Sequence, residues 1–421
     1  MTKSLPPHPN LVHLKKQARA LLRAHAQGQP DVCLVLRHLN RFLDVAVEEI
    51  LTADVTLTEV QFALAIEYGF SSWTALKTHI EAHNPNDRLL HVHCGDSSAD
   101  SLRKSGVGGK VITWFDPLIE GPTPANVSPT EWVRLRAENL LPEFDTVEHA
   151  AQFIHDLDKR LRAYRDFDEV VLWFDACLFD QVILIRQLDW FAREELGACK
   201  LSLICIGEFP GHPNFHGLGE LSPTELASLL GVRHEVTTAE TQLAVQAWEA
   251  YRTADPTAIE RLLSAPTFAL PYLRPALLRH LERFPACRNG LSRLEQEALE
   301  AIAAGRHSLW EIMRAASEVE HPAFFGDSYL FKLLESLASG PHPLVIEQGL
   351  ERESLRQLPR REWPLAKANY TLTAEGMTVL HGEADWIVLQ GGIDRWLGGV
   401  HLLGADSPWR WDEERQILVS R

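Results

Sequence analysis

The stretch Leu89-Leu-His-Val-His-Cys-Gly-Asp-Ser-Ser-Ala-Asp-Ser-Leu102 decides the fold class. Residues 89–94 suit a strand buried on both faces, Gly95 breaks it, and Asp96, Ser97 or Ser98 caps the helix that follows. A strand that turns at a glycine into a helix N-terminus is where α/β proteins place phosphates, carboxylates and nucleophiles.

Working outward, Lys110–Trp114, Glu169–Phe174 and Lys200–Ile206 are three further strand-like runs. Helical stretches at 99–104, 130–139, 146–164 and 180–196 separate them. Strands separated by helices pair in parallel through right-handed crossovers, so residues 88–235 are expected to form a doubly wound, mostly parallel, Rossmann-like α/β sheet. Functional loops then belong at the strand carboxyl ends. Those ends supply Asp96, Asp116 and Asp175, with Glu208 after the fourth strand.

Flanking this domain, residues 1–85 read as an all-helical module, with Leu11, Leu14, Ala18, Leu21 and Leu22 at helical spacing. Asn84-Pro-Asn-Asp87 is the expected linker. Residues 236–290 read as a helical connector. Residues 291–421 read as a winged-helix-like α+β unit with a tryptophan-rich β tail, its helices expected at 292–304, 308–318 and 327–338.

The 421 residues carry a net charge of −16, unevenly spread. Residues 86–273 hold 16 basic and 28 acidic side chains, while residues 274–375 hold 13 and 14. The central block is therefore a poor partner for a polyanion, and any nucleic-acid contact falls to the C-terminal unit. The six cysteines lack a CxxC pair and read as reduced core residues of a cytoplasmic protein. No stretch suits a membrane span or a signal peptide.

Several readings compete at the strand ends. Free N–H groups after Gly95, with the Ser97 and Ser98 hydroxyls, suit a small anion, and Asp96 suits either a ribose hydroxyl or a helix cap. Asp116, Glu120, Asp175 and Asp180, if they converge, suit a divalent cation or acid–base chemistry, with solvated or capping carboxylates as the plain alternative. Gly121 belongs to a tight Glu120-Gly-Pro turn lining the same pocket, and Gln181 adds a polar group. Ser105-Gly-Val-Gly-Gly-Lys110 lacks two positions of a phosphate loop. His91, His93, His212 and His216 lack the spacing of a zinc site and read as core or surface residues. Arg352, Arg356, Arg360, Arg361 and Lys367, expected in the wing, suit a phosphate backbone or a solvated loop interleaved with Glu351, Glu353 and Glu362.

Four resemblances accompany these patterns. Leu90–Leu102, Trp114-Phe-Asp-Pro-Leu-Ile-Glu-Gly-Pro122 and Val171-Leu-Trp-Phe-Asp-Ala-Cys-Leu-Phe-Asp-Gln181 resemble the bacterial family named domain of unknown function 1835 over about residues 88–300. That likeness implies a fold and a pocket but no activity. Ala65–Glu81, with Leu14-Lys-Lys-Gln-Ala18, resembles a helical module found ahead of ankyrin repeats, which implies an interaction role. Tyr370-Thr-Leu-Thr-Ala-Glu-Gly-Met-Thr-Val-Leu380 resembles the closing strand and helix of bacterial winged-helix regulators. Gly95-Asp-Ser97 resembles the first block of the Gly-Asp-Ser-Leu hydrolases, but no histidine here follows an aspartate by three residues, as their partner motif requires.

The expected function is regulatory. A small anionic, nucleotide-like ligand would bind the α/β domain, and the C-terminal unit would contact DNA or a protein, with no cofactor, metal or membrane involved. The alternative is a hydrolase or transferase acting on a phosphorylated or nucleotide substrate at the strand ends.

Overall fold

The computed structural model describes residues 3–5, 11–83, 86, 88–351, 355, 362–405 and 409–420. Five helices form the N-terminal module: α1 (Leu11–Ala26), α2 (Cys33–Leu36), α3 (Val47–Thr52), α4 (Leu57–Glu67) and α5 (Trp73–His83). Ala18, Leu36, Phe42, Ile50, Val60 and Leu64 share its core. Helix α4 begins with a reciprocal capping box between Thr56 and Glu59, which satisfies two otherwise orphaned N–H groups. The linker proposed at 84–87 lies outside the described residues except for Asn86, whose side chain donates to the Val107 carbonyl.

The α/β domain runs β1 (Leu89–His93), α6 (Asp96–Ser105), β2 (Lys110–Thr113), α7 (Pro129–Leu140), α8 (Val147–Leu161), β3 (Glu169–Asp175), α9 (Leu178–Phe191), β4 (Lys200–Ile206), α10 (Pro223–Leu229) and β5 (His234–Glu235). The sheet order is β2-β1-β3-β4-β5. The first four strands are parallel, and β5 pairs antiparallel with β4. Two-residue β5 is exposed at both positions, so it carries no hydrophobic pattern by which a sequence would disclose it.

Alternation along the strands sorts the side chains onto two faces. Leu90, Val92, Val170, Leu172 and Phe174 pack beneath α7, α8 and α9. Val171, Trp173 and Ile204 face Leu102 of α6 and Leu226 of α10. His91 and His93 occupy this second face. Trp173 donates its ring N–H to His91 Nδ1 at 3.1 Å, and His93 stacks on the same indole. Burial pushes His91 down to about 4 and His93 well below its usual value, so both are neutral core residues.

Beyond the sheet come α11 (Thr238–Arg252), α12 (Thr257–Leu263), α13 (Leu273–Leu281), α14 (Arg293–Ala303), α15 (Leu309–Val319) and α16 (Asp327–Leu337). An antiparallel hairpin, β6 (Val345–Gln348) with β7 (Asn369–Leu372), follows α16, and Ser308 bridges β7 from the other side. Leu299, Ile302, Ile312, Leu330, Phe331 and Tyr370 lie in this unit's own core, which also takes in α17 (Ala374–Leu380) and α18 (Trp386–Gln390). Arg352, Arg356, Arg360 and Arg361 lie outside the described residues, whereas Lys367 is exposed just before β7.

Two final hairpins, β8 (Ile393–Leu397) with β9 (Val400–Gly404) and β10 (Trp409–Asp412) with β11 (Ile417–Ser420), return to the α/β core. Leu397, Val400, Leu402, Trp411 and Leu418 join that core. Gly399 donates to the Tyr251 carbonyl, and a Cβ on Gly399 would collide with the Arg252 carbonyl. The small residues at 398–399 thus let the tail dock on the end of α11.

Two glycines of the strand-end loops behave oppositely. Gly121 has φ +68°, and a Cβ there would lie 2.2 Å from the Asn139 amide oxygen. Gly121→Ala should therefore cost about 1–3 kcal/mol. Gly95 is extended, at φ −133°, with open space where a Cβ would stand. The tight glycine turn expected there is instead an extended N-cap, and Gly95→Ala should change stability by less than about 1 kcal/mol. Urea unfolding of the two variants compares them directly.

Candidate functional site

The connections leave β1 toward β2 on one side and return to β3 on the other, so the strand order reverses between β1 and β3. In parallel sheets the crevice at such a reversal is the usual ligand site. Here the crevice is filled from within. The segment after β4 folds across it: Ser97 Oγ donates to the Gly219 carbonyl at 3.2 Å, and the Leu218 N–H donates to Asp175 Oδ2 at 3.2 Å. Gly217 makes this approach feasible, since a Cβ there would lie 2.4 Å from Asp175 Oδ2.

The predicted anion site at the start of α6 has its polar groups engaged. Asp96 is exposed and accepts from Thr113 Oγ1 at 2.8 Å. Its carboxylate already supplies negative charge to the helix N-terminus. Ser98 is buried. Its Oγ donates to the Gly95 carbonyl at 3.3 Å and lies 3.0 Å from His93 Nδ1. A serine–histidine contact thus exists at the turn, made by a residue that precedes the serine on the same strand end. That serine is only 5 % exposed.

Asp175, Asp180 and Gln181 do converge, together with Cys94 and Cys177. Asp180 accepts from Cys94 Sγ at 2.7 Å and from the Asp175 N–H at 2.8 Å. Asp175 accepts from the Cys177 N–H at 3.0 Å, and Gln181 donates to the Asp175 carbonyl at 2.7 Å. Burial, reinforced by the Asp175 charge, holds the Asp180 carboxyl well above the usual carboxylate range. Burial and the two aspartates push the Cys94 and Cys177 thiols up as well. Asp175, Cys177 and Asp180 offer three donor atoms within 4.8 Å of one another. Yet every carboxylate oxygen already accepts a hydrogen bond and the thiols are held protonated, so the group fits shared protons better than a cation.

Asp116 and Glu120 go elsewhere. Asp116 is fully buried against Arg136, whose Nε lies 3.1 Å from both carboxylate oxygens. Arg136 also donates to the carbonyls of Pro117, Glu120 and Pro122 at 3.0, 2.6 and 3.3 Å. The loop 114–122 is wrapped around this guanidinium. From the loop, Leu118 O accepts from Tyr251 Oη, Ile119 O accepts from Arg283, and the Glu120 carboxylate pairs with Lys332 of α16 at 3.1 Å. The four strand-end carboxylates therefore form a buried pair and two separate ion pairs.

The same loop opens on a cavity of about 370 Å³ between α7, α8, α9 and α11. Trp114, Trp132, Trp190 and Trp248 line it. Arg162, Arg186, Arg193 and Arg252 bring four positive charges, met by Asp158 and Asp189, while Asp116 at its edge is neutralised by Arg136. Arg186 stacks 4.7 Å above Trp114 and chelates Asp158 through Nη2 at 2.6 and 2.8 Å. Arg252 sits over both Trp132 and Trp248, at 5.2 and 5.4 Å. Burial lowers the proton affinity of Arg252, opposed by the Asp189 charge and reinforced by those of Arg186 and Arg193, while its Nε and Nη2 donate to the Pro124 carbonyl at 3.2 and 2.6 Å. A cavity of this size lies in the range of small-molecule sites, roughly 300–1,000 Å³.

Of the predicted site residues, only Asp116 lines this cavity. Arg186 carried a signal in the sequence: a charge in the middle of the apolar run Val182-Ile-Leu-Ile-Arg-Gln-Leu188 must find a partner or a ligand. Arg193 and Arg252 carried none, because each lies near a helix end where arginine is common.

Two predictions follow from these geometries. Arg136→Met strands the buried Asp116 and three carbonyls, and should cost about 3–5 kcal/mol in chemical denaturation. For Asp180, a carboxyl whose affinity for protons is raised on folding, the native state holds a proton that the unfolded chain releases above about pH 3.8. Its contribution to stability is complete below that value and falls as pH rises. Asp180→Asn should remove this slope, so the stability gap between wild type and variant should shrink with increasing pH. A gap that widens instead would show that Asp180 is ionised in the native protein.

A scan against protein-family models finds none that matches the chain, and no curated protein matches it significantly.

Proposed function

We propose that the protein is a ligand-responsive regulator. Its α/β domain takes a small anionic ligand in the tryptophan–arginine cavity, and residues 291–390 act as a winged-helix-like effector on DNA or a protein. One observation carries this reading: loop 114–122 belongs to both parts. Trp114 and Asp116 line the cavity, while Glu120, four residues on, holds α16 through Lys332. In a winged helix, the third helix is the element that enters a groove or meets a partner. Here α16 is the third helix, and of its 11 residues only Ser336 is exposed. Its partner-facing side is turned toward the α/β domain, where Tyr329 accepts from Arg283 and Lys332 meets Glu120 and Glu143. A ligand that shifts the loop would change how firmly α16 is held, which is how a cavity event reaches an effector surface.

The enzymatic alternative draws less support. It needs available carboxylates at the strand ends; Asp116, Glu120, Asp175 and Asp180 are each committed to a partner, which leaves it Glu208, exposed after β4 at the edge of a second cavity.

Glu120→Gln tests the coupling, because it removes the charge that holds Lys332 without altering α16. Amides of α16 should exchange with deuterium faster in the variant, and those of α4 should be unchanged. DNA retention that appears in the variant and weakens with salt assigns a nucleic-acid partner. Faster exchange without DNA retention assigns a protein partner. Equal exchange of α16 in both proteins overturns the regulator reading.

A further inference from the structure

The cavity has two chemical halves. One is apolar: Trp132 and Trp248 meet edge to face at 6.2 Å beneath Arg252, Trp114 lies beneath Arg186, and Trp190, Val133 and Leu157 complete the wall. The other is cationic. Arg186 comes from α9 and Arg252 from α11, so the guanidiniums reach the space from different elements. Arg186 is nine-tenths buried, and its Nη1 has no hydrogen-bond partner among the described residues. Leaving a charged donor unpaired in a buried position is unfavourable. The surplus cations sit inside a block whose overall charge is strongly negative.

These features narrow the ligand. A neutral ring would leave the excess of four arginines over two aspartates uncompensated. Inorganic phosphate would leave the apolar lining, Trp190, Val133 and Leu157 among it, without a partner. A polyanion would not fit about 370 Å³ and would be repelled by the acidic surroundings. A planar carboxylate offers one edge to one guanidinium fork, whereas a phosphate offers three oxygens to donors from separate helices. We infer that the cavity binds a nucleoside monophosphate, its base against the tryptophans and its phosphate between Arg186 and Arg252. This inference rests on the anionic-ligand reading above and specifies the ligand's class.

The full chain is titrated with AMP, GMP, CMP and UMP, with tryptophan fluorescence and melting temperature as readouts. Adenosine, inorganic phosphate and indole-3-acetate serve as comparisons. At least one nucleotide should saturate below about 1 mM, quench the fluorescence and raise the melting temperature, with adenosine and phosphate each about tenfold weaker or more. Arg252→Gln and Trp132→Leu should each weaken binding about 10- to 100-fold, the worth of one such contact. Arg252 and Trp132 are only partly buried, and two variants of different chemistry guard against a folding defect in either. Failure of all four nucleotides to saturate overturns the inference, as does unchanged binding by both folded variants. If indole-3-acetate or phosphate alone binds tighter than every nucleotide, the assignment of class fails while the anionic-ligand reading stands. If no anion binds, both fail at the cavity, and the Glu120→Gln exchange experiment still decides the regulator reading independently.

Discussion

One buried guanidinium, that of Arg136, organises the loop at the carboxyl end of β2. Loop 114–122 contains no helix or strand, yet Asp116, Leu118 and Ile119 are buried. Buried irregular backbone must find hydrogen-bond partners, because an orphaned carbonyl is costly. Arg136 answers several of these demands at once, with its five N–H donors shared between the Asp116 carboxylate and three loop carbonyls. A buried ion pair of this kind adds little net stability over an apolar substitute, since desolvation offsets attraction. Its effect is specificity: the loop has one arrangement that satisfies the guanidinium. Tyr251, Arg283 and Lys332 then read that arrangement from three other elements.

The rest of the chain adapts to charge in the same way. The α/β surface is acidic, and its buried polar groups are made neutral or paired. His91 and His93 lose their protons against Trp173, and Asp180 keeps its proton beside Cys94. The tryptophan–arginine cavity is the exception, a place where cations are gathered and left undercompensated. Arg186 and Arg193 are paired with Asp158 and Asp189, which leaves Arg162 and Arg252 as the surplus over the two aspartates.

Most of the architecture was legible in the residues. The four parallel strands stand out as short apolar runs because both faces of the sheet are covered. The helices announce themselves through period and caps, as Ser292–Glu295 and Ser308–Glu311 do for α14 and α15. Legibility ends where meaning depends on a distant partner. Asp116 and Glu120 stand at a strand end as expected, but what they do is set by Arg136 and by Lys332, which is 212 positions from Glu120. Gly95 looked like a turn glycine and is an extended cap, because the chain enters α6 without reversing. The serine–histidine contact at Ser98 escaped a motif search built on another family's chain order. The cavity itself draws on α7, α8, α9 and α11, and no local pattern joins four helices.

The return of the C-terminal hairpins to the first core has a consequence for how the molecule is made. Thr123 donates to the Gly398 carbonyl, and Leu402, Trp411 and Leu418 pack into apolar structure begun at β1. Such pairings have high contact order, and contacts of this span close slowly against chain entropy. During synthesis, the sheet strands emerge long before the residues that seal their flank. Nascent chains would therefore pass through a stage with α11 and loop 114–122 uncovered, a state open to aggregation or to chaperone capture. The two glycines at 398–399, seated on Tyr251 and Arg252, mark where this late-made wall joins the earlier strands.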